Sequence, residues 1–504
     1  MTEQHSNPEM FWDTYTQAAQ EALDAERFAD AEKLFAFALR EAETFGEQDP
    51  RLLRSLQGLV RCMEQQEKFA EAAGCLERML AIREKARGPD DPDVAEILNW
   101  LAANYEARGR LSEAEEIYRK ALEIIEAALG SDHPEVVSSL RGLGRVMVAQ
   151  GRYDAADLVF RRALSVTEKE AGRSHLSIVK DLDNLAGLYE LQGRTAEAEG
   201  LYERWIAIVE KELGSENGAL IAPLDRLFKR YVDVSAQEEA EQVGTRLLGI
   251  RQAVQGSNHP DVAGCLERLA SLKASVGNVG EAELLYERAA EILEHALGGE
   301  HLRLAVALSS LADLYRRQGR QEEAELLYVR SLDIMEKALG LDHPNLSAVL
   351  KGLAETYLET GKRFQAEPLL RRALEIEEER LGPEHPDLAD SLKKLTDIYW
   401  EQNRPIEAEP LVMRLMAIRY RTLGPEHPEV ARSLVDLARI FREQGKHAEA
   451  QPLYDRALAM LELALGAEHP ELAEIAAEQA ALARRVAEAT KAAKKTGWKR
   501  FFRW

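Results

Sequence analysis

Cysteine is scarce. Cys62, Cys75 and Cys265 are the only three in 504 residues, too few for a disulfide framework or a multi-cysteine metal site, and they suit a reducing compartment. Aromatic residues make up only 6% of the chain. No apolar run approaches the roughly 18 residues that a membrane-spanning helix needs. The opening MTEQHSNPEM has neither the basic stretch nor the apolar stretch of a signal peptide. Basic residues are outnumbered, 65 Lys+Arg against 88 Asp+Glu, for a net charge of −23. That balance argues against a nucleic-acid binder, which must neutralise phosphates with a basic surface. Nucleophile elbows, phosphate-cradling glycine loops, HExxH and paired CxxC are all missing, so neither an enzyme nor a cofactor is expected. Apolar residues, at 45%, are plentiful enough for a large core, which excludes general disorder. The composition predicts a soluble, acidic, cytoplasmic protein.

The organisation lies in a repeat. Glycine recurs every 42 residues from Gly46 and Gly88 through Gly424 to Gly466. Leucine holds a second register from Leu56 to Leu434 and a third from Leu59 to Leu437; alanine holds a fourth from Ala72 to Ala450. No insertion or deletion breaks the frame between Gly46 and Gly466.

The unit Ser131–Gly172 shows what one repeat dictates. Pro134 suits the first turn of a helix, where its missing N–H has no partner to lose. Leu140, Leu143 and Met147 share one helical face. Gly151-Arg152 breaks that helix. A second helix from about Asp154 carries Ala156, Phe160, Ala163 and Leu164 on one face, and the small Ala156 suits close approach of two helices. Gly172 ends it, as a left-handed residue after a helix C-terminus does. Each unit is an antiparallel helix pair whose apolar faces are too large to bury alone, so neighbours must stack.

Leu311, Ala312, Tyr315, Gly319, Arg320, Ala324, Tyr328 and Leu332 display a pattern that resembles the tetratricopeptide repeat. With "ALGxxHP" between units, the 42-residue form looks like the kinesin-light-chain type of that family. An ordinary unit has about 34 residues, and the extra length adds roughly one turn to each of two helices. The resemblance covers about residues 8–490 and implies an all-α, right-handed superhelical solenoid of about eleven helix pairs with a C-terminal capping helix. The expected layout is a slightly irregular first unit over 1–46 and ten units over 47–466. A capping helix over 467–490 and a tail over 491–504 follow.

The unit 217–256 departs most: Pro223 falls inside its expected first helix, Ser235 replaces the turn glycine and Gly244 takes the tyrosine register. A hinge or remodelled binding segment and tolerated drift both fit. Pro368, Pro410 and Pro452 share a register expected in the first turn of second helices, where amides are unpaired and no kink follows.

Eight of eleven histidines, from His133 to His469, share a register with Asp49, Asp91 and Asn217. Those three are good helix N-caps. The histidines are therefore read as caps or turn-packing residues, because one residue per unit does not supply the converging ligands of a metal site. The buried-looking cysteines are read as inert.

By the resemblance, first helices line a concave face. Asn99, Trp100, Arg141, Arg145, Asn184, Arg226, Arg268, Lys351, Lys393 and Trp400 are its candidate partner-binding residues. Tryptophan and arginine are enriched among binding hot spots, and the basic bias points to a protein or peptide partner with acidic residues. Relatives often carry paired asparagines in the first helix; here Asn99 and Asn184 stand in separate units, so motor-cargo peptide binding does not carry over. The clamp of chaperone-tail binders is not evident either. The tail KAAKKTGWKRFFRW has six basic residues, no acid, and Trp498, Phe501, Phe502 and Trp504. It suits docking on an acidic protein surface, its own or a partner's, or contact with an anionic membrane; a flexible end is the plainer alternative. The reading that results is a non-enzymatic scaffold binding a protein or peptide in its groove. A peripheral membrane adaptor attached by the tail, or a regulatory subunit of a separate enzyme, are the alternatives. The partner's identity and the oligomeric state are not written in the sequence.

Overall fold

The computed structural model describes the backbone of residues 8–501 and the side chains of residues 8–488. The side chains of Trp498, Phe501, Phe502 and Trp504 lie outside the described residues. The chain is an all-α solenoid of helix pairs, with no strand among the described residues. It divides into two compact units, 1–254 and 255–504.

The first unit holds α1 Pro8–Asp24, α2 Phe28–Glu43, α3 Pro50–Gln65, α4 Phe69–Arg87, α5 Pro92–Ala107 and α6 Leu111–Leu129. It continues through α7 Val136–Ala149, α8 Tyr153–Ala171, α9 Val179–Leu191, α10 Thr195–Leu213, α11 Ile221–Asp233 and α12 Gln237–Gln255, whose last residue is at the boundary. The second unit holds α13 Pro260–Ser275, α14 Val279–Leu297, α15 Leu302–Arg317, α16 Gln321–Leu339, α17 Leu346–Glu359 and α18 Arg363–Leu381. It ends with α19 Leu388–Glu401, α20 Pro405–Leu423, α21 Pro428–Glu443, α22 His447–Leu465 and α23 Pro470–Phe501. The last helix runs past 490, the end expected for the cap.

The two glycine-rich registers have different causes. The glycines that end second helices, Gly88 to Gly466, adopt φ near +90° with ψ near 160°, as at Gly130 (φ 97°, ψ 158°). That is not the left-handed helical conformation expected at a helix end; it is a region open essentially to glycine alone. The intra-pair turn demands only an ordinary left-handed residue. Glu67, Ser235 and Asn403 therefore stand there at φ 58° where other units have glycine. Ser235 thus leaves the turn of its unit intact. Pro223 is equally benign. It is the third residue of α11, which follows a 3₁₀ turn at Gly218–Leu220, and α9 has the same lead-in at Leu176–Ile178 without a proline.

All eight repeat-register histidines do one job. The Nδ1 of each accepts a hydrogen bond from the amide two residues on, at 3.1–3.4 Å. Asp49, Asp91 and Asn217 do the same with a side-chain oxygen at 2.9 Å. Each closes an otherwise unpaired amide at the opening of a first helix.

Size complementarity fits one pair onto the next. The register alanines, Ala72 through Ala450, are buried. Gly58, Gly142 and Gly352 have no room for a Cβ because the rings of Phe35, Tyr118 and Tyr328 press on them from the preceding second helix. Trp100 stands in that same register one repeat after Gly58, and there the facing residue shrinks to Leu76. Large meets small on each side, so total volume is kept.

Charge reinforces the stack. Arg162, Arg204, Arg246, Arg330, Arg372 and Arg414 each pair with a glutamate 36 residues earlier. In several pairs the residue after the turn glycine stacks on an aromatic five places earlier. Arg194 lies 3.9 Å from the Tyr189 ring centre and Arg320 lies 3.8 Å from that of Tyr315.

One expectation needs correcting. Pro368, Pro410 and Pro452 are not in the first turn; each is the sixth residue of its helix, where an amide would normally bond four residues back. The helices continue through them.

Replacing His301 with Ala is expected to destabilise by about 1 kcal/mol, the usual worth of an N-cap, while His301→Asn stays near wild type because Asn217 already fills this register. Chemical denaturation of both variants checks this.

Candidate functional site

The first helices α5, α7 and α9 follow one another in the first unit, and a cavity of about 750 Å³ opens over them. Asn99 and Trp100 of α5 line it together with Arg141 and Arg145 of α7. The structure therefore brings four of the sequence-predicted residues into one place.

Trp100 is half-buried, its ring packed on the apolar cluster that contains Leu76 and Leu101. Asn99 is 7% exposed. Its Oδ1 accepts from the Ser139 hydroxyl at 2.8 Å. Arg145 forks onto Glu106 at 3.0 and 2.9 Å, and the Tyr118 hydroxyl donates to Glu106 at 3.1 Å. Burial works against the charge on Arg145, but Glu106 holds its pKa above the ordinary value. Burial, and then Glu106, push the Tyr118 hydroxyl up as well. Arg141 forks onto Asp181 at 2.6 and 2.7 Å. The Asp181 carboxylate is fully buried and also accepts from the Thr167 hydroxyl at 2.9 Å. Both arginines are thus neutralised within the protein.

The other predicted residues lie in other repeats and are mostly engaged too. Asn184 of α9 is half-buried, with an unpartnered Nδ2. Arg226 pairs with Glu190 at 2.9 Å. Lys351 meets the buried Glu377 at 2.6 Å, which also takes the Ser347 hydroxyl at 2.6 Å. Lys393 pairs with Asp397 and lies 3.6 Å from Asp436. Arg268 of α13 is half-buried. Trp400 is half-buried on the cluster containing Tyr399 and Val412.

Sequence reasoning missed the acids. Glu106 and Asp181 lie 39 and 40 residues from their arginines, close to one repeat length. A search for opposite charges one repeat apart on successive first helices would have found them. Glu267 stands in the Asn99–Arg141 register four repeats after Asn99. Burial pushes its carboxyl up to about 7, against the opposing charge of Arg303. Among the described residues no group of three or more His, Cys, Asp or Glu side chains converges as a metal site would. No described helix is long and apolar enough to cross a membrane.

Stacked antiparallel helix pairs with a polar-rimmed groove over the first helices define a helical-repeat module. The chain belongs to the tetratricopeptide-repeat family. One model of that repeat matches residues 93–169, 263–337, 327–376, 346–421, 406–462 and 429–494, and a second matches 52–93 and 182–217. A comparison with curated proteins gave no match. Among solved structures, the chain is similar to the nearly identical TPR-like repeats assigned to a kinesin light chain of Podosopora anserina. That match has 30% identity, covers 41% of this chain and 98% of the other, and has a TM-score of 0.36. Another is BtubC (BKLC) from P. vanneervenii, with 21% identity, 49% and 94% coverage and a TM-score of 0.38.

Arg141→Ala should cost about 3 kcal/mol or more, because it strands the buried Asp181 carboxylate. Adding Asp181→Ser should recover most of that loss, since serine fills this register at Ser55, Ser139, Ser391 and Ser433; denaturant melts of the single and double variants decide it. For Glu267, the folded pKa of about 7 lies above the ordinary carboxyl value of 4.5. The unfolded chain loses its proton first, so stability falls as pH rises from about 4.5 through about 7 and levels off above that. Glu267→Gln is expected to remove this fall and to be the more stable form at pH 8, by about 1–3 kcal/mol. Thermal melts across that range test it.

Proposed function

We propose that the chain is a non-enzymatic scaffold that holds a segment of another protein in the groove over α5, α7 and α9. Tetratricopeptide-repeat proteins generally mediate contacts between proteins. The observation that carries the reading to this groove is that the half-buried Trp100 and the side-chain amide of Asn99 line one cavity. An indole surface offers apolar area at low entropic cost, and a side-chain amide in the cavity wall can hydrogen-bond a peptide backbone. Arg141 and Arg145 serve here as walls rather than as free charges, because each is locked to a carboxylate. A pre-formed wall lowers the ordering cost of binding.

Trp100→Ala in the full chain should weaken partner capture at least tenfold, in line with the roughly 2 kcal/mol expected of a central hot-spot residue. Leu326→Ala, on a side chain 71% exposed on α16, should leave capture unchanged. Quantitative pull-down with circular dichroism of each variant makes the comparison. Loss with Leu326→Ala and retention with Trp100→Ala would move the site to the outer helices.

A further inference from the structure

Resting on that groove reading, the charges that remain free around the cavity describe its occupant. Its two arginines are neutralised by Asp181 and Glu106. Glu96, Glu135 and Glu170 also line it, all exposed and none with a side-chain partner among the described residues. Lys180 is the one base on the lining without a carboxylate partner among the described residues. The rim is therefore net acidic once internal pairs are discounted, which reverses the sequence-based expectation of an acidic partner. Asn99, 7% exposed and held by the Ser139 hydroxyl, sets a side-chain amide in the cavity wall beneath that rim.

We infer that the groove takes a basic, aromatic-bearing segment, and that the segment is the C-terminal tail 491–504 of a second copy of this chain. The tail supplies the complement. It carries Lys491, Lys494, Lys495, Lys499, Arg500 and Arg503 and no Asp or Glu. Its Trp498, Phe501, Phe502 and Trp504 offer rings for the Trp100 wall. Opposite charge speeds encounter and fixes register, while the aromatic contact supplies desolvated area.

The probe is a fluorescently labelled peptide of residues 491–504, titrated into the full-length chain and followed by anisotropy. Binding should weaken about tenfold or more in the Glu96→Gln, Glu135→Gln, Glu170→Gln triple variant, and it should fall steeply with added salt. The full-length chain should self-associate in sedimentation experiments, and both the triple variant and a tail reversal (Lys494, Lys495, Lys499 and Arg500 to Glu) should abolish it. Equal affinity for wild type and triple variant would overturn the inference. So would equal binding of an acidic peptide of the same length. A peptide that binds phosphatidylserine vesicles but not the chain would overturn it in favour of a membrane. If the peptide fails while Trp100→Ala still removes partner capture, the groove stands and its occupant is wrong.

Discussion

A helix pair of this length cannot bury its own apolar faces, and everything else in the molecule follows from stacking one pair on the next. The rigid 42-residue frame is the consequence. An extra residue would rotate a helix by roughly 100° and turn its buried face outward. The glycine after each second helix matters for the same reason. Its φ near +90° with an extended ψ sets how the chain re-enters the next pair. A side chain there would be strained in every repeat. The turn within a pair carries no such demand, and so it tolerates Glu67, Ser235 and Asn403.

Stacking also decides where charge goes. Successive pairs place residues one repeat apart within reach of each other, so arginine on one helix finds glutamate on its predecessor. Arg162 with Glu126 and Arg204 with Glu168 are two rungs of one ladder; Arg145 with Glu106 belongs to another. Exposed rungs contribute little individually. Buried ones, such as Arg141 with Asp181, cost much to break and act as register pins. A ladder of this kind removes bases from the pool available to a partner. In the groove over α5, α7 and α9 both arginines are taken up in this way, by Asp181 and Glu106.

Most of the fold was legible because repetition multiplies a weak signal. One leucine at a helical spacing says little, but Leu56 repeated through Leu434 fixes helix, face and frame together. The histidine register was legible for the same reason, since Asp49, Asp91 and Asn217 in the same position reveal its capping role. The groove was legible only in part. Asn99, Trp100, Arg141 and Arg145 could be placed on first helices, and they do meet in one cavity. Their state could not be read, because Asn99 leans on Ser139 and Arg141 on Asp181 across helix interfaces. The prolines at 368, 410 and 452 were misplaced by a turn: each second helix opens two residues after its intra-pair turn residue, which puts the proline at its sixth position.

The sequence by itself determined the helix pairs, their count and frame, the caps and the turns, because these depend on spacing within about one repeat. Tertiary structure alone decided which charges are paired, which buried side chain each carboxylate meets, and which glycines exist to admit a neighbour's ring. Those properties belong to the distance between two side chains on different helices. A sequence encodes both residues but not the few ångströms between them.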